Sequence, residues 1–196
     1  MLLQHKPLSV AVQIAVVTGA NTSAGKPAAR KKESCLESSL GVLTLVNTDR
    51  VLSGVYMPGH LRGPKSDSLG SRTTLGFDIA RAQLNEYFEH KRTDFDLPLA
   101  PHGTIFQQSV WSLLRDIPYG ETRSYRQIAE LLGNRLAIRA VGLANGRNPI
   151  SIIVPCHRVI GSNGSLTGYA GGLERKRLLL NLEAAGTISQ KQFSLS

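Results

Sequence analysis

Cys156 lies in the stretch IIVPCHRVIGSNG, residues 152–164, with Pro155 before it and His157 and Arg158 after it. A thiol with an ordinary pKa of about 8.5 is only a few per cent ionised at neutral pH. To attack a carbon atom it needs a partner that favours the thiolate. His157 is adjacent, and Glu183 in LLLNLEAAG offers a carboxylate on a late helix that could hold and polarise that histidine. The apolar run SIIV, residues 151–154, reads as a short strand entering a turn. Consecutive side chains of a strand point apart, so the expected link between Cys156 and His157 is a bridging water rather than a direct bond. The competing reading is a half-buried, inert thiol beside a surface histidine.

The rest of the composition narrows the setting. The 196 residues suit one ordinary domain or two small ones, and 41% apolar with 19% charged residues is enough to pack a core. The net charge is +9, distributed as +4 over residues 1–36, −1 over 37–102, +5 over 103–188 and +1 over the tail. In 103–188 arginine nearly displaces lysine, which suits bidentate phosphate contacts and insertion into grooves. A polyanion, with nucleic acid foremost, is the expected partner. Cys35 and Cys156 make no disulfide framework and no zinc spacing with the five histidines, so a reducing cytoplasmic compartment is expected, nuclear if the source is eukaryotic. No apolar run is long enough to cross a membrane. Nothing beside Cys35 in the sequence would activate it.

The opening LSVAVQIAVVTGANTSAGKP imitates a nucleotide-binding unit, but Gly19 and Gly25 are six apart and Pro27 follows Lys26. Neither the dinucleotide nor the phosphate-loop pattern is met. A secretory signal is disfavoured by Gln13 within the apolar run. Residues 1–34 read as an extension ending in the basic linker GKPAARKK. LGVLTLVN and RVLSGVYM form a hairpin across a Thr-Asp turn, and FDIARAQLNEYFEH a helix with Phe77, Ala80, Leu84 and Phe88 on one face. The prolines of TDFDLPLAPHGT place a boundary near residue 100, which gives a small α/β domain over 35–100.

Residues 101–188 then read as mostly helical, with a tail at 189–196. IFQQSVWSLLRDI places Phe106, Val110, Leu113 and Ile117 on one face and stops at Pro118 and Gly120. SYRQIAELLGN has Ser124 as its N-cap and Gly133 as its stop, and RLAIRAVGLANGRN follows after a short turn. Two short helices so joined form a helix-turn-helix candidate. The fold class is therefore α/β in the α+β sense.

From GTIFQQSVWSLLRDIPYGETRSY through RAVGLANGRNPISIIVPCHRVIGSNGSLTGYAGG to RKRLLLNLE, about residues 103–184, the chain resembles the O6-alkylguanine-DNA alkyltransferase family. The match is weaker from ESSLGVLTLV onward, and the first 34 residues lie outside it. The resemblance implies DNA repair by irreversible, single-turnover transfer of an alkyl group from O6 of guanine to Cys156, with O4 of thymine left open. It implies His157 as the base acting through water, Glu183 as its orienter, Asn148 as the tie of the Asn-Pro turn, and Tyr125 as a phosphate contact and proton donor. It implies Arg139 as the side chain that fills the gap left by the flipped nucleotide, with Arg126, Asn134 and Ser162 as neighbouring DNA contacts. Tyr169 and Ala170 would border the base. Some members carry serine where Ala170 stands, so here only the backbone N–H could donate. The implied partner is double-stranded DNA approached through the minor groove by a monomer, with no cofactor and no metal. Two rivals compete: a cysteine hydrolase, and a DNA-binding module without chemistry.

Overall fold

The computed structural model describes residues 30–193; the strand-like opening and the phosphate-loop imitation lie outside them. Strands β1 (Lys31–Leu36), β2 (Leu43–Thr48), β3 (Val51–Tyr56) and β4 (Ser71–Arg72) form one sheet in the order β3-β2-β1-β4. Within this sheet β1 and β4 pair in parallel, and the other neighbours are antiparallel. The expected boundary at residue 34 therefore moves: Lys31 and Lys32, assigned to the basic linker, pair with Thr48 and Asn47.

The expected hairpin is present, with its turn one residue later than expected. Asp49 and Arg50 both have positive φ, 50° and 70°, and Thr48 pairs with Val51 across a two-residue loop. That geometry matches the right-handed twist of the strands.

Helix α1 (Asp78–Phe88) buries Ala80, Gln83, Leu84 and Tyr87. Phe88, expected on that face, is only partly buried. Gln83 clamps the following segment by exchanging two 3.0 Å hydrogen bonds with the Asp96 backbone. That segment is no free linker, since Ala100 N–H donates to Leu52 O at 2.9 Å.

Helix α2 (Ile105–Arg115) opens on a reciprocal capping box between Thr104 and Gln107 and buries Val110, Trp111 and Leu114. Of the expected face, Val110 and Ile117 are buried and Leu113 packs against the core, while Phe106 is exposed. Trp111 and Leu114 extend the buried side, and Trp111 Nε1–H donates to Ala144 O at 2.9 Å. Helices α3 (Tyr125–Leu131) and α4 (Ile138–Asn145) form the helix-turn-helix. Gly133 at φ 73° provides the left-handed step between them. Helix α5 (Leu173–Phe193) carries Glu183 and runs on through part of the expected tail.

SIIV is not a strand. Residues 151–154 form a buried turn with Ile152 at φ 73°, pinned to the edge of β3. Val55 N–H donates to Pro149 O at 2.9 Å, and Ser151 N–H donates to Val55 O at 3.1 Å. A tight connection leaves no room for strand propagation before Cys156, which begins a short 3-10 helix, Cys156–Arg158. Beyond it, strand β6 (Val159–Ile160) pairs in parallel with β5 (Arg123–Ser124), just ahead of α3. One apolar cluster runs through both halves, from Leu43, Leu45 and Leu84 to Trp111, Ile150 and Val159.

Ser124 Oγ accepts Gln127 N–H at 3.1 Å, and Gln127 Oε1 accepts Ser124 N–H at 2.7 Å, which starts α3 next to Tyr125. Ser124→Ala should cost about 1 kcal/mol, or roughly 2–4 °C in thermal midpoint, while Ser124→Asp should keep most of the stability. Thermal unfolding of both variants checks this.

Candidate active site

The 3-10 helix buries Cys156, His157 and Arg158 together. The thiol is 4% exposed. Asn148 shapes its surroundings: Oδ1 accepts Ile150 N–H at 3.0 Å, and Nδ2 donates to Val154 O at 2.8 Å and reaches Cys156 Sγ at 3.0 Å. The residue expected only to tie the turn also donates to the sulfur. Asn145 Nδ2 donates to Cys156 O at 3.3 Å.

His157 is fully buried and its Nε2 lies 2.8 Å from Glu183 Oε1. Glu183 is the hub. Its oxygens also receive Arg158 Nε at 2.9 and 3.2 Å, Arg158 Nη2 at 2.9 Å, Tyr87 O–H at 2.8 Å and Gly120 N–H at 3.1 Å. Burial by itself would raise the Glu183 pKa, but the His157 and Arg158 donors and charges outweigh it and hold the carboxyl at about 2. An ionised carboxylate can only accept, so His157 must carry its proton on Nε2. Nδ1 is then a bare lone pair, buried and without a hydrogen-bond partner among the described residues. Burial keeps His157 below the ordinary imidazole value of 6.5, against the pull of Glu183 and with Arg158 and Lys176 adding to the lowering.

Burial also pushes the Cys156 thiol up to about 11, opposed by the Asn148 donor, the Lys176 ammonium and nearby backbone N–H groups. Lys176 itself is fully buried. Its ammonium donates to Val159 O at 2.5 Å and Thr167 O at 2.6 Å, clasping both sides of the loop that follows the thiol. Burial lowers it to about 8. Tyr125 O–H meets the same loop, at 3.0 Å from Thr167 O and 3.3 Å from Gly168 O.

The remaining expected residues divide between two places. Tyr169 is buried and Ala170 half-buried at the end of the loop, and Ala170 O accepts Leu61 N–H at 3.0 Å. Arg126, Asn134, Arg139 and Ser162 are all exposed. Asn134 also has a local task, accepting Leu136 N–H at 3.1 Å to form the turn that leads into α4. Cys35, expected to lack an activating neighbour, has Arg72 Nη2 at 3.2 Å from its sulfur.

Arg158, Lys176, Tyr87, Gly120 and Asn145 were missed by sequence reasoning. Two left signals. Arg158 directly follows His157, and Lys176 is the single lysine among nine arginines in 103–188. Tyr87 and Gly120 left none.

A basic helix-turn-helix set beside a buried thiol, with histidine and carboxylate behind it, is the layout of a DNA-binding protein that does chemistry with one sulfur. The family model for the 6-O-methylguanine DNA methyltransferase DNA-binding domain matches residues 105–185. The methylated-DNA–protein-cysteine methyltransferase of Methanosarcina acetivorans is 51% identical over 150 residues, 76% of this chain and 96% of that one. Its counterpart in Mycobacterium bovis is 52% identical over 148 residues, 76% of this chain and 89% of the other. The crystal structure of Mycobacterium tuberculosis OGT in complex with DNA superposes with a TM-score of 0.74 at 49% identity, covering 79% of this chain and 94% of that one. The chain belongs to the methylated-DNA–protein-cysteine methyltransferase family.

The hub ties stability to acid. A carboxyl held at about 2 against an ordinary 4.5 contributes stability that is complete above about pH 4.5 and is lost as pH falls toward 2. Glu183→Gln removes that dependence and leaves the Arg158 charge buried without its counter-ion, at a cost of about 3–5 kcal/mol. Urea unfolding of both proteins between pH 7 and 3 should show the gap narrowing as pH falls.

Proposed function

We propose that this protein repairs alkylated DNA by moving the alkyl group from O6 of guanine to the sulfur of Cys156, once per molecule. The observation that carries the reading is the buried His157 ring, with Nε2 committed to Glu183 and Nδ1 bare, in the residue that follows the thiol on the same 3-10 helix. The resting sulfur is a thiol. Its proton passes through a bridging water to Nδ1 as the sulfur attacks the alkyl carbon. The S–C bond forms, the C–O6 bond breaks, and the electron pair goes to the departing guanine. Guanine takes up a proton from Tyr125, and Tyr125 is reprotonated from solvent as His157 releases the thiol's proton. Thiol and alkylguanine thus become thioether and guanine, and the balance needs no co-reactant. A thioether, unlike an acyl thioester, is not reopened by water, so the protein is consumed.

Lys176 and Asn148 support negative charge at the sulfur as it develops. Tyr169 and the backbone at Ala170 border the base, and Ser162 lies on the loop clasped by Lys176.

Double-stranded DNA is the partner, met by one copy of the chain at the lesion. The exposed side of α4 and the turn before it carries Leu136, Arg139, Ala140, Leu143 and Arg147. Guanidinium groups can pair with guanine in the major groove, but with no amide or carboxylate exposed on the helix itself this face offers little to distinguish the other bases there. Such a face suits the minor groove, where cationic and apolar side chains enter and unstack bases. Arg126 and Asn134 flank it. Arg139 fills the space that the nucleotide leaves when it swings out to the thiol.

Intact mass after incubation with O6-methylguanine DNA should rise by one methyl group per chain, on Cys156 after digestion. Cys156→Ser should bind DNA and gain nothing. Repeated turnover, or a methyl on Cys35, would overturn the assignment. Arg139→Ala should react slowly with alkylated duplex yet near normally with free O6-methylguanine, because the free base requires no extrusion. Rates on the two substrates check this, and an equal loss on both would make Arg139 a pocket residue instead.

A further inference from the structure

The carboxylate behind His157 receives a hydrogen bond from the other half of the molecule. Tyr87, near the C-terminal end of α1, is fully buried, and its hydroxyl donates to Glu183 Oε1 at 2.8 Å. Three rings enclose it: Phe88 and Tyr119 edge-on at 5.5 and 5.9 Å, and Phe95 tilted at 5.5 Å. A ring held this way cannot swing its hydroxyl aside. Burial, with the Glu183 charge, raises it well above the ordinary phenol range, so it remains a donor wherever the protein works.

Oε1 is also the atom that takes the Nε2–H of His157, with Arg158 Nη2 at 2.9 Å. A carboxylate oxygen has about two lone-pair sites, so donors crowded on one oxygen compete for its charge. We propose that Tyr87 is a positioning residue supplied by the N-terminal unit, which sets the basicity of His157 by drawing Glu183 charge away from the imidazole. The inference rests on the proposed relay from Cys156 to His157. With less charge behind it, the imidazole stays neutral at working pH and its Nδ1 stays open to the thiol proton. The other groups facing this pair act in known directions. Arg158 and Lys176 lower His157, Gly120 N–H satisfies Oε2, Tyr119 lies against Tyr87 and under Arg158 with its hydroxyl directed to Leu182 O rather than to Glu183, and Cys156 is the proton source.

The test is the pH profile of methyl transfer from free O6-methylguanine, which leaves DNA binding out of the measurement. Tyr87→Phe keeps the ring and removes the donor, so His157 should hold its proton more tightly and the acid limb should move up by about half to one pH unit. Tyr119→Phe, which alters the same aromatic cluster without touching Glu183, should leave the limb in place. The pH dependence of Cys156 carbamidomethylation by iodoacetamide, in a Cys35→Ser background, should shift in the same way. A Tyr87→Phe limb that coincides with the parental one, with only the thermal midpoint lowered, makes Tyr87 a packing residue and overturns the inference. A parental limb that survives His157→Gln would show that the relay itself is wrong, and the inference falls with it.

Discussion

One buried carboxylate organises this molecule. Glu183 on α5 takes donors from the active-site 3-10 helix, from Gly120 ahead of the helix-turn-helix and from α1 of the N-terminal unit. A lone carboxylate without those donors would be expelled from the core or protonated. With them it is the acceptor that decides which nitrogen of His157 is bare. Arg158 has two parts in this. It compensates the charge, and Nη1 donates to Ile117 O at 2.5 Å, fastening the end of α2 to the same hub. Stability and chemistry therefore share one ion pair, and neither can be altered without the other.

Around that hub the sulfur sits in an environment of two opposing tendencies. Burial keeps Cys156 a thiol at rest, which protects a protein that has only one chance to react. Asn148 and Lys176 lower the cost of negative charge at the same sulfur. Lysine suits the buried position better than arginine because its compact ammonium can point three donors at closely spaced carbonyls. Val159 O and Thr167 O are those acceptors, so the group that favours the thiolate also closes the loop leading to Tyr169.

The exposed face of α4, proposed to meet DNA, is built on different terms. Its side chains are exposed, while the turn beneath them is held by hydrogen bonds from Leu136 and Ala137 N–H to Asn134. Trp111 fixes α4 from below through Ala144 O, and Asn134 sets the turn before it. A firm backbone bearing free arginines fits a partner whose phosphates and groove vary little with sequence.

Local signals were legible in the sequence because they depend on near neighbours. Ser124 as an N-cap, Gly133 as a helix stop and the hairpin of β2 and β3 follow from residue type and short spacing. The thiol, its histidine and the glutamate on a late helix were also readable, since the motif holds the first two side by side and the helical pattern places the third. Propensity misled where packing decided. SIIV has strand composition, yet pairing of residues 149–151 with Val55 forces a turn with Ile152 at φ 73°. The face of α2 was legible at Val110, Leu113 and Ile117, but its extension to Trp111 and Leu114 rather than to Phe106 depends on packing against α4, where Trp111 donates to Ala144 O. What the sequence by itself determined was the class of chemistry, which lives in a few residue types at close range. Tertiary structure alone decided the electrostatics, because Tyr87 and Gly120 reach Glu183 across 96 and 63 residues of chain. A carboxylate's charge is divided among whatever donors surround it in space.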